Sequence, residues 1–154
     1  MDKKPSRAVL GIGNPLRRDD GLGIRIIEEM RRMPGYDDFE LIDGGTSPDL
    51  LSLLDESIKK LVIVDSLRGS GPPGTIYRLE VGQENITGGT ASSHGLGVLD
   101  TVSIMPKLGL KPPQIIIIGV EPEDVSHGLG LTARIERLLP EIIRAVDGEL
   151  KAAD

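Results

Sequence analysis

Three short apolar runs are nearly unbroken: Ala8-Val9-Leu10-Gly11-Ile12, Leu61-Val62-Ile63-Val64, and the β-branched stretch within Gln114 to Gly119. A strand with one wet face alternates apolar and polar residues, whereas solid runs of this length fit strands covered on both faces. Covering layers are present. Leu22, Ile26, Met30 and Met33 recur at helical spacing behind Asp19 and Asp20, which read as cap and first-turn acids. Ile135, Leu138, Leu139, Ile142, Ile143, Val146 and Leu150 form the face of a last helix that Pro140 should bend or restart.

Further elements complete the pattern. Phe39 to Ile42 reads as a strand ending at Asp43-Gly44-Gly45, and Ser47-Pro48 opens a helix carrying Leu50, Leu51, Leu53 and Leu54. About ten residues rich in Gly and Pro separate Asp65 from Thr75 to Leu79, too few for a crossover helix, so that fourth strand should run antiparallel. Residues 82 to 94 read as a polar loop. Leu96, Leu99, Val102, Ile104 and Met105 predict a helix from His94 that stops near Pro106. The expectation is a three-layer α/β/α sandwich with a five-stranded, mostly parallel sheet and one antiparallel strand. Its 154 residues fit one domain spanning 1–154.

Composition narrows the chemistry. Eighteen Lys and Arg against 24 Asp and Glu give a net charge of −6, and the aromatic residues are only Phe39, Tyr36 and Tyr77, so neither phosphate binding nor base stacking is served. Nucleic acid is not an expected partner. The absence of Cys removes disulfides, thiolate ligands and a cysteine nucleophile. No run of about 18 apolar residues occurs and Met1 to Pro5 lacks an apolar signal segment. A cytoplasmic protein without a membrane partner is expected.

In parallel sheets ligands bind beyond the carboxyl ends of the strands, which is where Asp19, Asp20, Asp43, Asp65 and Glu121 fall. Two carboxylates, Asp20 and Asp65, with the imidazole of His94 would make an oxygen-and-nitrogen site for a divalent cation such as zinc, nickel or cadmium, leaving a position for water or substrate. The bland alternative is that the acids only cap a helix and fill a turn. His127, the other histidine, is a reserve ligand. Ser92 and Ser93 beside His94 lack the Gly-x-Ser-x-Gly elbow of a serine hydrolase. Gly11-Ile12-Gly13 opens like a dinucleotide fingerprint, but Leu16 stands at the third glycine position and Asp19 and Asp20 would repel a pyrophosphate. The glycines better serve a tight turn, with Asn14-Pro15 fixing the loop. A receiver domain shares the acids after strands one and three, but lacks support here because no lysine follows the last strand, Gly119-Val120-Glu121-Pro122.

Taken in order, Gly11-x-Gly13-Asn14-x-Leu16-x-x-Asp19-Asp20-Gly21-x-Gly23, Asp43-Gly44-Gly45-Thr46, Asp65, Ser93-His94-x-Leu96-Gly97, Gly119-Val120-x-Pro122 and Gly130-Leu131-Thr132 resemble the nickel-iron hydrogenase maturation endopeptidases across nearly the whole chain. The resemblance implies a phosphorylase/hydrolase-like fold. It also implies a peptidase, of aspartyl type, that removes a C-terminal extension from the nickel-loaded hydrogenase large-subunit precursor. Asp20, Asp65 and His94 match the metal-contacting positions, and Asp43 matches a further acid of the family's site. Some members carry Glu at the position of Asp20, which keeps the charge but reaches further. No organic cofactor is implied; nickel belongs to the substrate as its recognition element, and another divalent cation could occupy the site in isolated protein. Either a carboxylate or a metal-activated water attacks, with Asp43 as candidate proton acceptor or orienting group. A nickel-binding chaperone that recognises the precursor without cutting it is the rival reading, and a receiver-like phosphoacceptor the second.

Overall fold

A computed structural model describes residues 3–46, 49–81, 100 and 102–153. The solid apolar runs form the centre of one sheet: β1 (Arg7–Gly11), β2 (Glu40–Asp43), β3 (Lys60–Ser66), β4 (Ile76–Val81) and β5 (Gln114–Val120), in the order β2-β1-β3-β5-β4. β1 pairs in parallel with β2 and β3, and β3 with β5, whereas β4 pairs antiparallel with β5, Ile76 opposite Val120. The short Gly and Pro connection before β4 dictates that reversal, as expected. It also separates this sheet from the all-parallel 2-1-3-4-5 order of receiver domains.

One face of the sheet buries Val9, Val62, Val64, Ile116 and Ile118 against two helices, α1 (Leu22–Arg32) and α4 (Leu139–Lys151). α1 turns Ile26, Ile27 and Met30 inward, and each such side chain contributes about 1.5–3 kcal/mol on burial. A short helix, α3 (Ala133–Arg137), precedes α4, and Pro140 occupies the first turn of α4, where no N–H bond is needed. The proline therefore restarts the helix. The opposite face buries Ala8, Leu10, Leu61, Ile63, Ile115 and Ile117 beneath α2 (Leu50–Leu53) and Val102.

One local expectation shifts. Asp19 and Asp20 do not cap α1; they lie in a 3-10 turn, Arg18–Gly21, and Gly21 is the N-cap. The α-helical residues 102–104 stop just before Pro106, as expected, and a 3-10 turn, Met105–Leu108, carries the proline near its start. The helix start at Ser47-Pro48, the loop 82–94, the helix start at His94, and Ser92 and Ser93 lie outside the described residues.

Candidate active site at the carboxyl ends of the strands

The chain leaves β1 toward β2 on one side and returns to β3 on the other, so the strand order reverses between β1 and β3. A crevice at such a reversal is the usual ligand site of an open α/β sheet. Two tight approaches shape it. Gly11 and Gly23 let α1 settle onto the sheet: a Cβ at Gly11 would stand 2.2 Å from Gly23 O. Gly13 turns the chain with φ +144°, and a Cβ there would stand 1.9 Å from Asp20 O. The glycines thus serve close backbone packing around the acid-bearing loop.

Asp20 is 7 % exposed and Asp65 1 %. Asn14 N–H donates to Asp20 Oδ2 at 3.0 Å, and Ser66 Oγ donates to Asp20 Oδ1 at 3.1 Å. Ser66 directly follows Asp65 in β3, and consecutive Cα atoms are about 3.8 Å apart. Asp20, from the loop after β1, is therefore tied to the carboxyl end of β3 on the face of Val62 and Val64, whereas Asp65, one residue earlier in the strand, falls by alternation on the face of Leu61 and Ile63. Asp43 stands at the end of β2, in register with Gly11, its carboxylate exposed and accepting from Gly45 N–H at 3.0 Å. His94 lies outside the described residues; His127 is exposed in the loop after β5.

Asp19 does something its spacing did not disclose. It is 1 % exposed. Its Oδ2 accepts from the N–H of Glu123 at 2.9 Å and of Asp124 at 3.1 Å, while Thr132 N–H donates to Oδ1 at 2.8 Å. The Thr132 hydroxyl adds contacts of 3.1 and 2.9 Å to the two oxygens. Hydrogen bonds to a charged group are each worth about 1.5–3 kcal/mol net. The loop after β5 is thus riveted to the turn that carries Asp20. Backbone bonds extend the seam: Arg18 N–H to Gly128 O at 3.1 Å, Asp19 N–H to Asp124 O at 3.0 Å, and Gly128 N–H to Leu16 O at 2.9 Å. Leu16, 60 % exposed, and Leu129, 78 % exposed, project at this seam. Hydrogen bonding from Ser126 holds the Asp124 carboxyl below the usual carboxylate range, with Arg18 adding positive charge nearby.

Glu121 fastens the other flank. Its Oε1 accepts from Gly69 N–H at 2.7 Å and from Tyr77 O–H at 2.8 Å, and Tyr77 Oη accepts from Gly71 N–H at 2.9 Å. Burial, and then the bond to Glu121, pushes the Tyr77 phenol up. Sequence reasoning named Glu121 and Thr132 without a role and passed over Ser66; a hydroxyl directly after a strand-end acid was the available signal for the last.

A family model described as hydrogenase maturation protease matches residues 24–149. Among curated proteins, the hydrogenase 2 maturation protease of Escherichia coli is 30 % identical over 152 residues, covering 93 % of this chain and 89 % of its own length. The hydrogenase expression/formation protein HupD of Thiocapsa roseopersicina is 32 % identical, covering 96 % and 69 %. The solved hydrogenase maturating endopeptidase HybD from E. coli superposes with a TM-score of 0.77 at 31 % identity, covering 91 % of this chain and 88 % of that one.

Proposed function

This chain belongs to the hydrogenase maturation protease family, and from that membership we propose that it removes a C-terminal extension from a nickel-loaded hydrogenase large-subunit precursor. Nickel is part of the substrate in this reading. Asp20 and Asp65 offer hard oxygen donors and His94 a borderline nitrogen, a set that suits a first-row divalent ion. These three residues engage the nickel seated in the precursor and so dock the scissile bond, and a precursor without nickel lacks the anchor. Peptide hydrolysis also needs an activated nucleophile, a polarised carbonyl and a proton for the leaving amine. Asp43, solvent-facing at the neighbouring strand end, is assigned as proton acceptor or orienting group, which makes the enzyme a peptidase of aspartyl type.

The observation that carries the reading is that two buried carboxylates, Asp20 from the loop after β1 and Asp65 near the end of the adjacent β3, lie at the carboxyl edge of the sheet where the strand order reverses. Exposed Leu16 and Leu129 beside the acid turn suit a polypeptide substrate better than a small ion alone. The reading places the enzyme in the cytoplasm; among the described residues no helix is long and apolar enough to cross a membrane.

The test is intact-mass spectrometry of purified precursor, nickel-loaded or nickel-free in chelator, before and after incubation with the protein. A single C-terminal loss from the nickel-loaded form alone is expected. Equal cleavage of the nickel-free form would remove nickel from the reading, and a stable complex of unchanged mass would favour the chaperone.

A further inference from the structure

We propose that Asp19 is a positioning residue for the acid site: by clamping the loop 123–132 onto the turn Arg18–Gly21 it fixes the placement of Asp20, the next residue. This rests on the reading of Asp20 given above.

Among the described residues, the groups hydrogen-bonded to the Asp19 carboxylate are all donors, three backbone N–H groups and the Thr132 hydroxyl, spread over both oxygens. An ionised carboxylate satisfies that surrounding. A carboxamide of the same shape cannot, because its NH2 must face either Thr132 N–H or the N–H groups of Glu123 and Asp124. The turn has local bonds of its own, Arg17 N–H to Asn14 O and Asp20 N–H to Arg17 O, both at 3.0 Å, but it also holds a costly conformation. Arg18 is the one non-glycine residue with positive φ, +42°, among the described residues, a conformation that persists only where the surroundings impose it. Here the imposing contacts come from the far loop: Arg18 N–H binds Gly128 O and Asp19 N–H binds Asp124 O. The helix that follows contributes no side-chain cap at Gly21. The backbone from which the Asp20 side chain reaches Ser66 is therefore held jointly by these local bonds and by a loop more than a hundred residues away in sequence. The distant motif Gly130-Leu131-Thr132 has its function in this clamp, with Thr132 as the double donor.

A merely structural clamp would change stability and nothing else, so the test separates stability from turnover. Full-length Asp19→Asn, Thr132→Val and Thr132→Ser are compared with Ile143→Val, a buried core substitution on α4 that has no hydrogen-bonding group to lose. Each is assayed for Tm and for kcat and KM on nickel-loaded precursor, well below its own Tm. Thr132→Val should lower kcat about tenfold with KM little changed, as expected for sub-ångström misplacement of a reacting group. Thr132→Ser, which keeps the hydroxyl, should restore kcat to within about twofold by preserving the donor. Ile143→Val should lower Tm alone. Asp19→Asn should lose more turnover than Thr132→Val; if it does not fold, the Thr132 pair decides. Unchanged kcat in Thr132→Val, or an equal kcat loss in Ile143→Val, would overturn the positioning role. Asp20→Asn run alongside separates the two ideas. If it processes normally the acid-site reading falls and the inference with it, whereas an inactive Asp20→Asn beside a fully active Thr132→Val removes only the role of Asp19.

Discussion

Gly23→Ala should destabilise this protein although alanine is the better helix former. Gly23 lies in the first turn of α1, and a Cβ there would stand 2.4 Å from both Ile12 O and Val64 O and 2.6 Å from Ile12 N. Ordinary carbon–oxygen contact begins at about 3.3 Å, so the start of α1 would have to retreat by roughly 1 Å. The obstacle is main chain of Ile12, just past β1, and of Val64 in β3, already joined by Ile12 N–H to Val64 O at 3.1 Å, and main chain has no alternative rotamer. The cost should therefore sit near the upper end of the roughly 1–3 kcal/mol seen for overpacking. Helix propensity offsets about 1 kcal/mol of it. A net loss of about 2 kcal/mol corresponds to a Tm about 4–8 °C lower for a chain of this size. The same retreat carries Asp20 away from Ser66, stretching a 3.1 Å bond beyond hydrogen-bonding range, and displacement of about 1 Å at a reacting group can cost about a hundredfold in rate. Gly148→Ala is the matched control: it lies in α4 with no atom within 4 Å of the added Cβ, and should stabilise by about 0.5–1 kcal/mol. Thermal unfolding followed by circular dichroism, with precursor processing followed by mass, reads both. Equal stabilisation by the two substitutions would refute the claim that α1 is seated by contact with bare backbone.

Three other outcomes are expected. Burial, aided by a hydrogen bond to Asp147 at 2.7 Å, pushes the Tyr36 phenol up to about 12, above its unfolded value of about 10. The folded state then holds the proton longer, so this stability is complete below about pH 10 and lost as pH rises toward 12. Tm measured against pH should fall more steeply for the native chain than for Tyr36→Phe across that window, and parallel curves would contradict it. Tyr77→Phe removes the donor to Glu121 and leaves Gly71 N–H without its acceptor; denaturant unfolding should register a loss of about 1–2 kcal/mol. Asp20→Ala should abolish precursor processing while near-native circular dichroism persists; a chain that fails to fold would instead make Asp20 a structural residue.

The strands were legible because their physics is local. A run such as Leu61 to Val64 is apolar at successive positions, short and mostly β-branched, which fits a strand covered on both faces. The antiparallel β4 was legible because a short connection cannot hold a crossover. The role of Asp19 was not legible: next to a helix start, an acid looks the same whether it caps that helix or binds a remote loop, and the partner Thr132 lies far along the chain. Asp20 was legible as an acid after a strand, but its tie to Ser66 depends on which strand lies beside β1. His94 was legible as a candidate ligand from motif order, and it lies outside the described residues.

By itself the sequence determined the layers, the direction of the strands, and the family to which ordered glycines and acids point, since these follow from periodicity, connection length and motif spacing. Tertiary structure alone decided how the acids are held. Hydrogen bonds between Asp20 and Ser66, and between Asp19 and the loop 123–132, join residues far apart in number. Such pairings exist only after β1 and β3 lie side by side and the loop beyond β5 folds back over them.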